Sequence, residues 1–439
     1  MGGVLGCLLT AWIIYNVLVV IGRLYLSPLS KIPGPRLAAA TPWYETFVDL
    51  WYNNFPDALA DMHKKYGPIV RPTPWEVSIN DPDYYNEVYV TAGKRRTNYD
   101  AGSRSGLGMQ DAIAITKDHD THELRRKPVA NFFSRPNVTR VESRISDEVR
   151  LLDAKLCRLK GTGSILSLDH AFTAYAGDIV VQFTCAEHPR LLDGPDFTPQ
   201  WHKSICGDLN VVPLFRHIGW LSNLARFVPV GLLRALNPEV AGFRLFTLVG
   251  EGQIDKIKKG VAREDEKEGL EKKQSVFHDI LRSDLPTSSL ITYFVLADPE
   301  VKKRLEEELK DITAGFPEVV PRWAELEKLP YLQACIKEGL RINRFFRRNP
   351  RISPDPECWI GDYDPRMSRN FVPFTKGSRN CLGMNLGWAE LYVCLAALFR
   401  PGGHNMSLAG TDESDIVPIF DGDVGAPKRG SKGFNVRFD

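Results

Sequence analysis

The 439-residue chain lacks an excess of charge of either sign: 56 basic side chains face 54 acidic ones, for a formal net charge of +2. That balance leaves no electrostatic footprint for a polyanion, so no nucleic-acid partner is expected. It also lacks any Cys-x-x-Cys pair. Its cysteines, at positions 7, 157, 185, 206, 335, 358, 381 and 394, are scattered singly. This excludes a disulfide framework and reads as a reduced, cytosol-facing protein. The sequons at Asn137 and Asn405 would then never meet the glycosylation machinery. No internal repeat or low-complexity tract is present. What the chain does have is a hydrophobic content of 43%, ample for a real core. Its length suits one large domain or two to three smaller ones.

The first apolar block is Val4 to Ile21, interrupted only by Thr10, Asn16 and small residues. As a helix it spans about 27 Å, enough for a bilayer core. No charged side chain precedes it, while Arg23, Lys31 and Arg36 follow. Positive-inside logic leaves the remaining chain in the cytosol. No small-residue cleavage site is evident, so the run reads as an uncleaved signal-anchor over residues 1–22. A buried core helix has the same composition. Lys31-Ile32-Pro33-Gly34-Pro35-Arg36 then makes a stiff, non-helical turn, a joint over residues 23–36 between anchor and globular body.

The chemistry-bearing stretch lies near the other end. Phe374-Thr375-Lys376-Gly377-Ser378-Arg379-Asn380-Cys381-Leu382-Gly383 is a glycine-flexed loop that ends on a cysteine and feeds an apolar run, Met384 to Phe399. Apolar residues on nearly every face predict a helix inside a large core. Cys381 is therefore expected at a buried helix N-terminus, where backbone N–H groups and the helix dipole favour a thiolate. A thiolate there can be the axial ligand of a heme iron. A structural cysteine is the alternative.

The pattern F-x-x-G-x-R-x-C-x-G resembles the heme-binding signature of the cytochrome P450 family, with every defining position filled. The wording of the anchor, the proline-rich turn and Phe371 to Leu391 most resembles membrane-anchored fungal members of the trichodiene-oxygenase type. The resemblance implies a mainly α fold with small β-sheets over residues 37–439. It implies heme b bound through the Cys381 thiolate, with Arg379 on a propionate and Phe374 near the sulfur. Gly377 would let the loop turn, and Gly383 would let the backbone approach the porphyrin.

Further stretches extend the resemblance. Asp118 to Arg126 holds His122 and Arg126 four apart, on one face of a predicted helix. Its histidines and acids fit no common zinc spacing. In the family, residues at this spacing donate to the heme propionates; an exposed charged helix is the plain reading. Glu338-Gly339-Leu340-Arg341 places Glu338 and Arg341 three apart on a helix, resembling the family's buried Glu-Arg pair that braces the heme loop. Trp43 to Tyr66 reads as a helix, followed by paired strands at Ile69 to Arg71 and Glu76 to Ile79. Helices are expected over Ser143 to Leu159, His170 to Phe183 and Pro299 to Ile312, with a last strand within Lys428 to Val436. The aromatic stretch Val211 to Leu248 reads as core elements or, in the family, as a lid dipping toward the membrane. Lys256 to Lys273, dense in both charges, reads as a solvated linker.

The chain departs from the family pattern at three places. After Pro286 it runs directly into Leu290 to Ala297, resembling only the tail of the family's central helix. The acid-threonine pair that relays protons to dioxygen is not found there, so neither Thr287 nor Thr292 takes that role. Between Arg341 and Pro354 the residues are too few for the family's strands and short helix. Cys358 stands before Trp359 where an arginine would complete a triad with Glu338 and Arg341, and a thiol cannot replace a guanidinium.

By resemblance, the chain is a heme-thiolate monooxygenase of the endoplasmic reticulum membrane, with its catalytic domain in the cytosol. It would be fed by NADPH-cytochrome P450 reductase and oxidise a lipophilic small molecule in secondary (terpenoid-type) metabolism. Alternatives are an impaired or inactive remnant, and a heme-thiolate isomerase that needs no dioxygen activation.

Overall fold

In a computed structural model of the chain, the described residues are 2–52, 54–82, 84–85, 89, 113, 116, 118–185, 189–206, 214, 217–218, 227–236, 285–343, 371–421, 425–428 and 430–439. Helices dominate, with only small antiparallel sheets between them. The chain divides into two units, Met1–Tyr89 with Phe346–Val372, and Val90–Phe345 with Pro373–Asp439.

In the first unit, α1 (Gly2–Ile21) runs into a π-helical turn, Gly22–Leu26. Gly3–Leu26 is long and apolar enough to cross a membrane and is not buried against the protein. Within α1, Thr10 and Asn16 bond back one turn, Thr10 to Gly6 O at 2.9 Å and Asn16 to Trp12 O at 2.7 Å. Such bonds lower the cost of a polar group in an apolar helix.

The segment that follows is pinned rather than free. Arg71 is 1% exposed. Its N–H donates to Pro33 O at 2.8 Å, and its guanidinium donates to Arg23 O at 3.0 Å and Pro74 O at 2.6 Å. Burial, then the Arg23 charge, lowers its pKa. A Cβ on Gly34 would stand 2.5 Å from Arg71 O, so only glycine lets the chain lie this close.

α2 (Arg36–Ala40) and α3 (Trp43–Phe47) follow, then a π-helical stretch, Val48–Tyr52, and α4 (Phe55–Tyr66). The pattern Trp43 to Tyr66 is thus not one helix. Asn54 leaves helical geometry at φ −148°, and a proline at the start of α4 cannot continue a preceding turn. β1 (Ile69–Val70) pairs antiparallel with β2 (Ser78–Ile79), with Ile69 opposite Ile79. Arg71 drops out of the expected strand because its N–H goes to Pro33.

The second unit holds α5 (His119–Ala130), α6 (Arg135–Arg140), α7 (Glu142–Cys157), β3 (Ile165–Ser167), α8 (Leu168–Cys185) and α9 (Pro199–Cys206). It continues with α10 (Leu285–Ala297), α11 (Pro299–Leu309), α12 (Pro330–Asn343), α13 (Met384–Leu398), β4 (Met406–Leu408) and β5 (Asn435–Phe438). Helix starts follow from their caps. Asp118 accepts from Thr121 N at 2.8 Å, and Asp298 accepts from Glu300 N at 2.9 Å. Glu308 of α11 accepts from Tyr331 N and Leu332 N, serving two orphan donors at the start of α12.

The core forms where α13, buried almost throughout, packs on α7, while α8 packs on α10 and α10 on α12. Gly339 of α12 makes the last contact possible: a Cβ there would stand 2.1 Å from Ile291 Cγ1. β5 is the central strand of a three-stranded sheet, flanked by β3 and β4. Asp169, at the start of α8, accepts from Phe434 N at 2.6 Å and from Ser289 Oγ of α10 at 2.5 Å.

Cys358, Arg344 to Pro354 and Lys256 to Lys273 lie outside the described residues, as does most of Val211 to Leu248.

Candidate functional site

The loop before α13 closes on itself through its backbone. Cys381 N donates to Phe374 O at 2.9 Å, and Asn380 N donates to Gly377 O at 3.2 Å. Two residues turn through the left-handed region, Gly377 at φ +78° and Thr375 at φ +57°. Glycine does so freely. Thr375 is strained there, and its hydroxyl bonds Arg379 O at 3.3 Å.

Cys381 is half-buried and is not part of a disulfide. It stands at the N-terminal end of α13, as expected, but is half-buried where burial was expected. Gly383 is the N-cap and Met384 the first helical residue, so Cys381 lies just upstream in the loop. Phe374 is buried and packs on Trp388, ring centroids 5.6 Å apart, with Tyr392 stacked on Trp388 beyond. The loop is thereby seated on the first two turns of α13.

α5 holds the loop from the other side. Arg379 donates to Thr116 O and, at 3.4 Å, to Asp118 O. Arg126 donates to Asn380 Oδ1 at 2.7 Å, and Asn385 of α13 donates to Phe133 O at 2.9 Å. His122 is 3% exposed and lies one turn before Arg126. Its pKa is pushed down to about 4 by burial first, then by the charges of Arg379, Arg126 and His119. Arg379 is lowered by burial and by Arg126, against the pull of Asp118. Two guanidiniums and a buried imidazole therefore lie within electrostatic reach of one another beside the cysteine loop.

Glu338 and Arg341 do pair, with bonds of 2.7 and 2.5 Å. The burial expected of them is not found, because the Glu338 side chain is 47% exposed. On the opposite side of α12, Gly339 faces α10, and Asn343 donates to Thr287 Oγ1 at 2.6 Å, both side chains buried. α10 starts at Leu285, earlier than the tail seen in the sequence, and carries no Asp or Glu. Asn380 and the carbonyls of Thr116 and Asp118 were not foreseen as parts of the site. Asn380 carried a signal, a short amide directly before the cysteine. A backbone carbonyl carries none.

The cytochrome P450 family profile matches residues 35–206 and 285–364. The chain is 39% identical to the cytochrome P450 monooxygenase sdnH of Sordaria araneosa, over 99% of this chain and 94% of that protein. The chain is a cytochrome P450. Stellatic acid synthase of Emericella variicolor is 34% identical over 99% of this chain and 95% of its own length. Fusicoccadiene C-8 hydroxylase of Phomopsis amygdali is 35% identical over 95% and 93%. This P450 is a monooxygenase of the kind found in fungal secondary metabolism, and its family uses a heme-thiolate cofactor, redox partners and lipophilic substrates. The profile match ends at residue 364, before Phe374, whereas the alignments to whole relatives include the loop. The alignment to the Sordaria protein runs over 519 residues, more than this chain contains, so that relative carries internal residues this P450 lacks.

The site's donors fit a dianionic porphyrin. Arg126 and Arg379 present cationic N–H donors, His122 presents a neutral imidazole, and Cys381 offers the one thiol of the loop.

Proposed function

We propose that Cys381 is the thiolate ligand of heme b, and that Arg379, Arg126 and His122 hold its propionates. One observation carries the reading: two arginines and a buried, neutral histidine from α5 and the cysteine loop converge beside Asn380, the residue before Cys381. Heme bound in this way supplies dioxygen activation and oxygen transfer to the substrate, favoured by thiolate donation. The chain's own part is positional. Gly377 and Thr375 turn the loop, Phe374 and Trp388 seat it, and the bond from Arg126 to Asn380 fixes the residue before the cysteine.

In the same reading, residues 1–22 anchor the protein in the endoplasmic reticulum membrane and residues 23–36 link that anchor to a catalytic domain, 37–439, facing the cytosol. NADPH-cytochrome P450 reductase supplies electrons. The substrate is a lipophilic terpenoid-type metabolite. Fusicoccadiene, after which one relative is named, is a sensible first compound to offer.

A specific observation favours a second reading. α10 carries no acid beside Thr287 or Thr292, and Thr287 is engaged by Asn343. Without an acid-threonine relay this 439-residue form turns over weakly or not at all, or rearranges an already oxygenated substrate.

The test is the carbon monoxide difference spectrum of the reduced full chain. Wild type gives the red-shifted Soret band and Cys381→Ala loses it. An unchanged spectrum in the variant refutes the ligand assignment. Robust hydroxylation by the purified chain with reductase refutes the impaired reading; activity only with an organic peroxide supports the rearranging one.

A further inference from the structure

At the opposite end of α13 from the cysteine loop, three unlike metal-ligating side chains stand together. Asp153 and Cys157 lie four residues apart on one face of α7, and His404 reaches them from the segment after α13. One donor atom from each lies within 4.8 Å of the other two. Asp153 Oδ1 meets His404 Nε2 at 2.8 Å, and Asp153 Oδ2 accepts from Cys157 Sγ at 3.8 Å. Asp153 and His404 are buried, whereas Cys157 is exposed. The group is therefore closed toward the protein and open to water at the sulfur.

The backbone that carries these donors is held by bonds outside the group. Lys160, just past Cys157, donates to Gly402 O at 3.1 Å and Gly403 O at 2.9 Å, fixing the turn that presents His404. Gly402 takes φ +69° in that turn, and Asp439 N donates to Asn405 O at 2.9 Å on its other side. Arg400 donates to Asp153 Oδ1 at 2.5 Å and lies over the Phe316 ring at 4.4 Å. Oδ1 is thus bonded twice, by His404 and Arg400. Among the described residues Oδ2 meets only the thiol. A thiol is a weak donor, and 3.8 Å is a long contact for a buried carboxylate oxygen.

Tetrahedral zinc holds sulfur at about 2.3 Å and nitrogen or oxygen at about 2.0–2.1 Å, which sets neighbouring donors about 3.3–3.6 Å apart. The spacings of 3.8 and 2.8 Å stand on either side of that range, so small side-chain shifts close the site. A thiolate, an imidazole and one carboxylate suit zinc rather than magnesium or calcium. We propose that Asp153 Oδ2, Cys157 Sγ and His404 Nε2 bind one Zn2+, with water from the exposed side as fourth ligand. The Cys157 proton leaves to solvent. Nε2 gives up its hydrogen, and the ring keeps its proton on Nδ1, which has no hydrogen-bond partner among the described residues to lose. Arg400 keeps Oδ1, and its charge offsets one of the two anionic ligands. The ion ties the end of α7 to the segment after α13 and does not depend on heme.

The test uses the full chain as purified, under a thiol-free reductant, dialysed against zinc. Wild type is expected to retain a zinc ion whose X-ray absorption fine structure shows a single sulfur neighbour at about 2.3 Å and nitrogen or oxygen at about 2.0 Å. Cys157→Ala, at an exposed position, is expected to weaken that zinc at least about tenfold and to remove the sulfur neighbour. Cys335→Ala, which removes a thiol on α12, is expected to change neither. Zinc should raise the melting temperature of wild type and not that of Cys157→Ala. Wild type that retains no zinc, or holds it with no sulfur neighbour, overturns the proposal before any variant is made. Cys157→Ala that binds zinc as tightly as wild type, with the sulfur neighbour still present, places the ion elsewhere and also overturns it.

Discussion

Arg126 of α5 grips the residue that precedes the loop cysteine, its guanidinium 2.7 Å from Asn380 Oδ1 across 254 positions of sequence. One side chain thus supplies a cation to the site and sets the path of the loop. Arg126→Ala is expected to weaken heme retention about tenfold or more, the scale of a lost charge-assisted hydrogen bond. Heme transfer to apomyoglobin measures it. Asn380→Ala separates the two roles: it should loosen the loop and broaden the Soret band while leaving the cationic set in place.

His122 makes the heme-free chain acid-sensitive. Its folded pKa of about 4 lies below the ordinary 6.5, so the unfolded chain takes up the proton first as pH falls. The stability it protects is complete above pH 6.5 and drains away down to about pH 4, by on the order of 3 kcal/mol. Urea midpoints of the heme-free chain at pH 7 and 4.5 read this directly. His122→Asn should flatten the difference, and a bound dianion should shrink it.

Gly339 is fixed by its neighbour rather than by its own backbone. A methyl there meets Ile291 at 2.1 Å, so Gly339→Ala must push α12 from α10 or displace Ile291. Overpacking of this kind costs ~1–3 kcal/mol and lowers the melting temperature. Combining it with Ile291→Val should recover part of the loss, measured as the Tm of the double variant.

Asp153 of α7 takes bonds from Arg400 at 2.5 Å and His404 at 2.8 Å in a nearly closed site. Burial opposes its ionisation, yet the bonds from His404 and Arg400 outweigh that and hold its pKa below 3.8. A depressed carboxylate stabilises above its unfolded pKa, and that gain is lost as pH falls through the lower folded value. Asp153→Asn leaves Arg400 facing a neutral amide and should cost ~3–5 kcal/mol, seen as a lowered urea midpoint at pH 7.

Much of this was readable from residues alone. The α13 run, the loop before it and the His122–Arg126 spacing each obey a local rule of periodicity, turn chemistry or helix face, and each is found as expected. The family and the mainly α fold follow from them. Two features were not legible. The half-exposure of Glu338 depends on what covers α12, which no spacing encodes. The split at Asn54 overrides a pattern helical on both sides, because the π-helical stretch turns aromatic rings outward where a soluble core would turn them in.

The three-stranded sheet carries a consequence for how the chain is made. Its central strand, β5, emerges from the ribosome after both strands it joins, β3 and β4. Until then β3 and β4 expose unpaired edges, and Asp169 at the start of α8 lacks the Phe434 N–H that it later holds. Every residue up to and including β5 must therefore be translated before this corner can close. A nascent chain with two open edges and a long apolar helix already exposed is a natural client for chaperones.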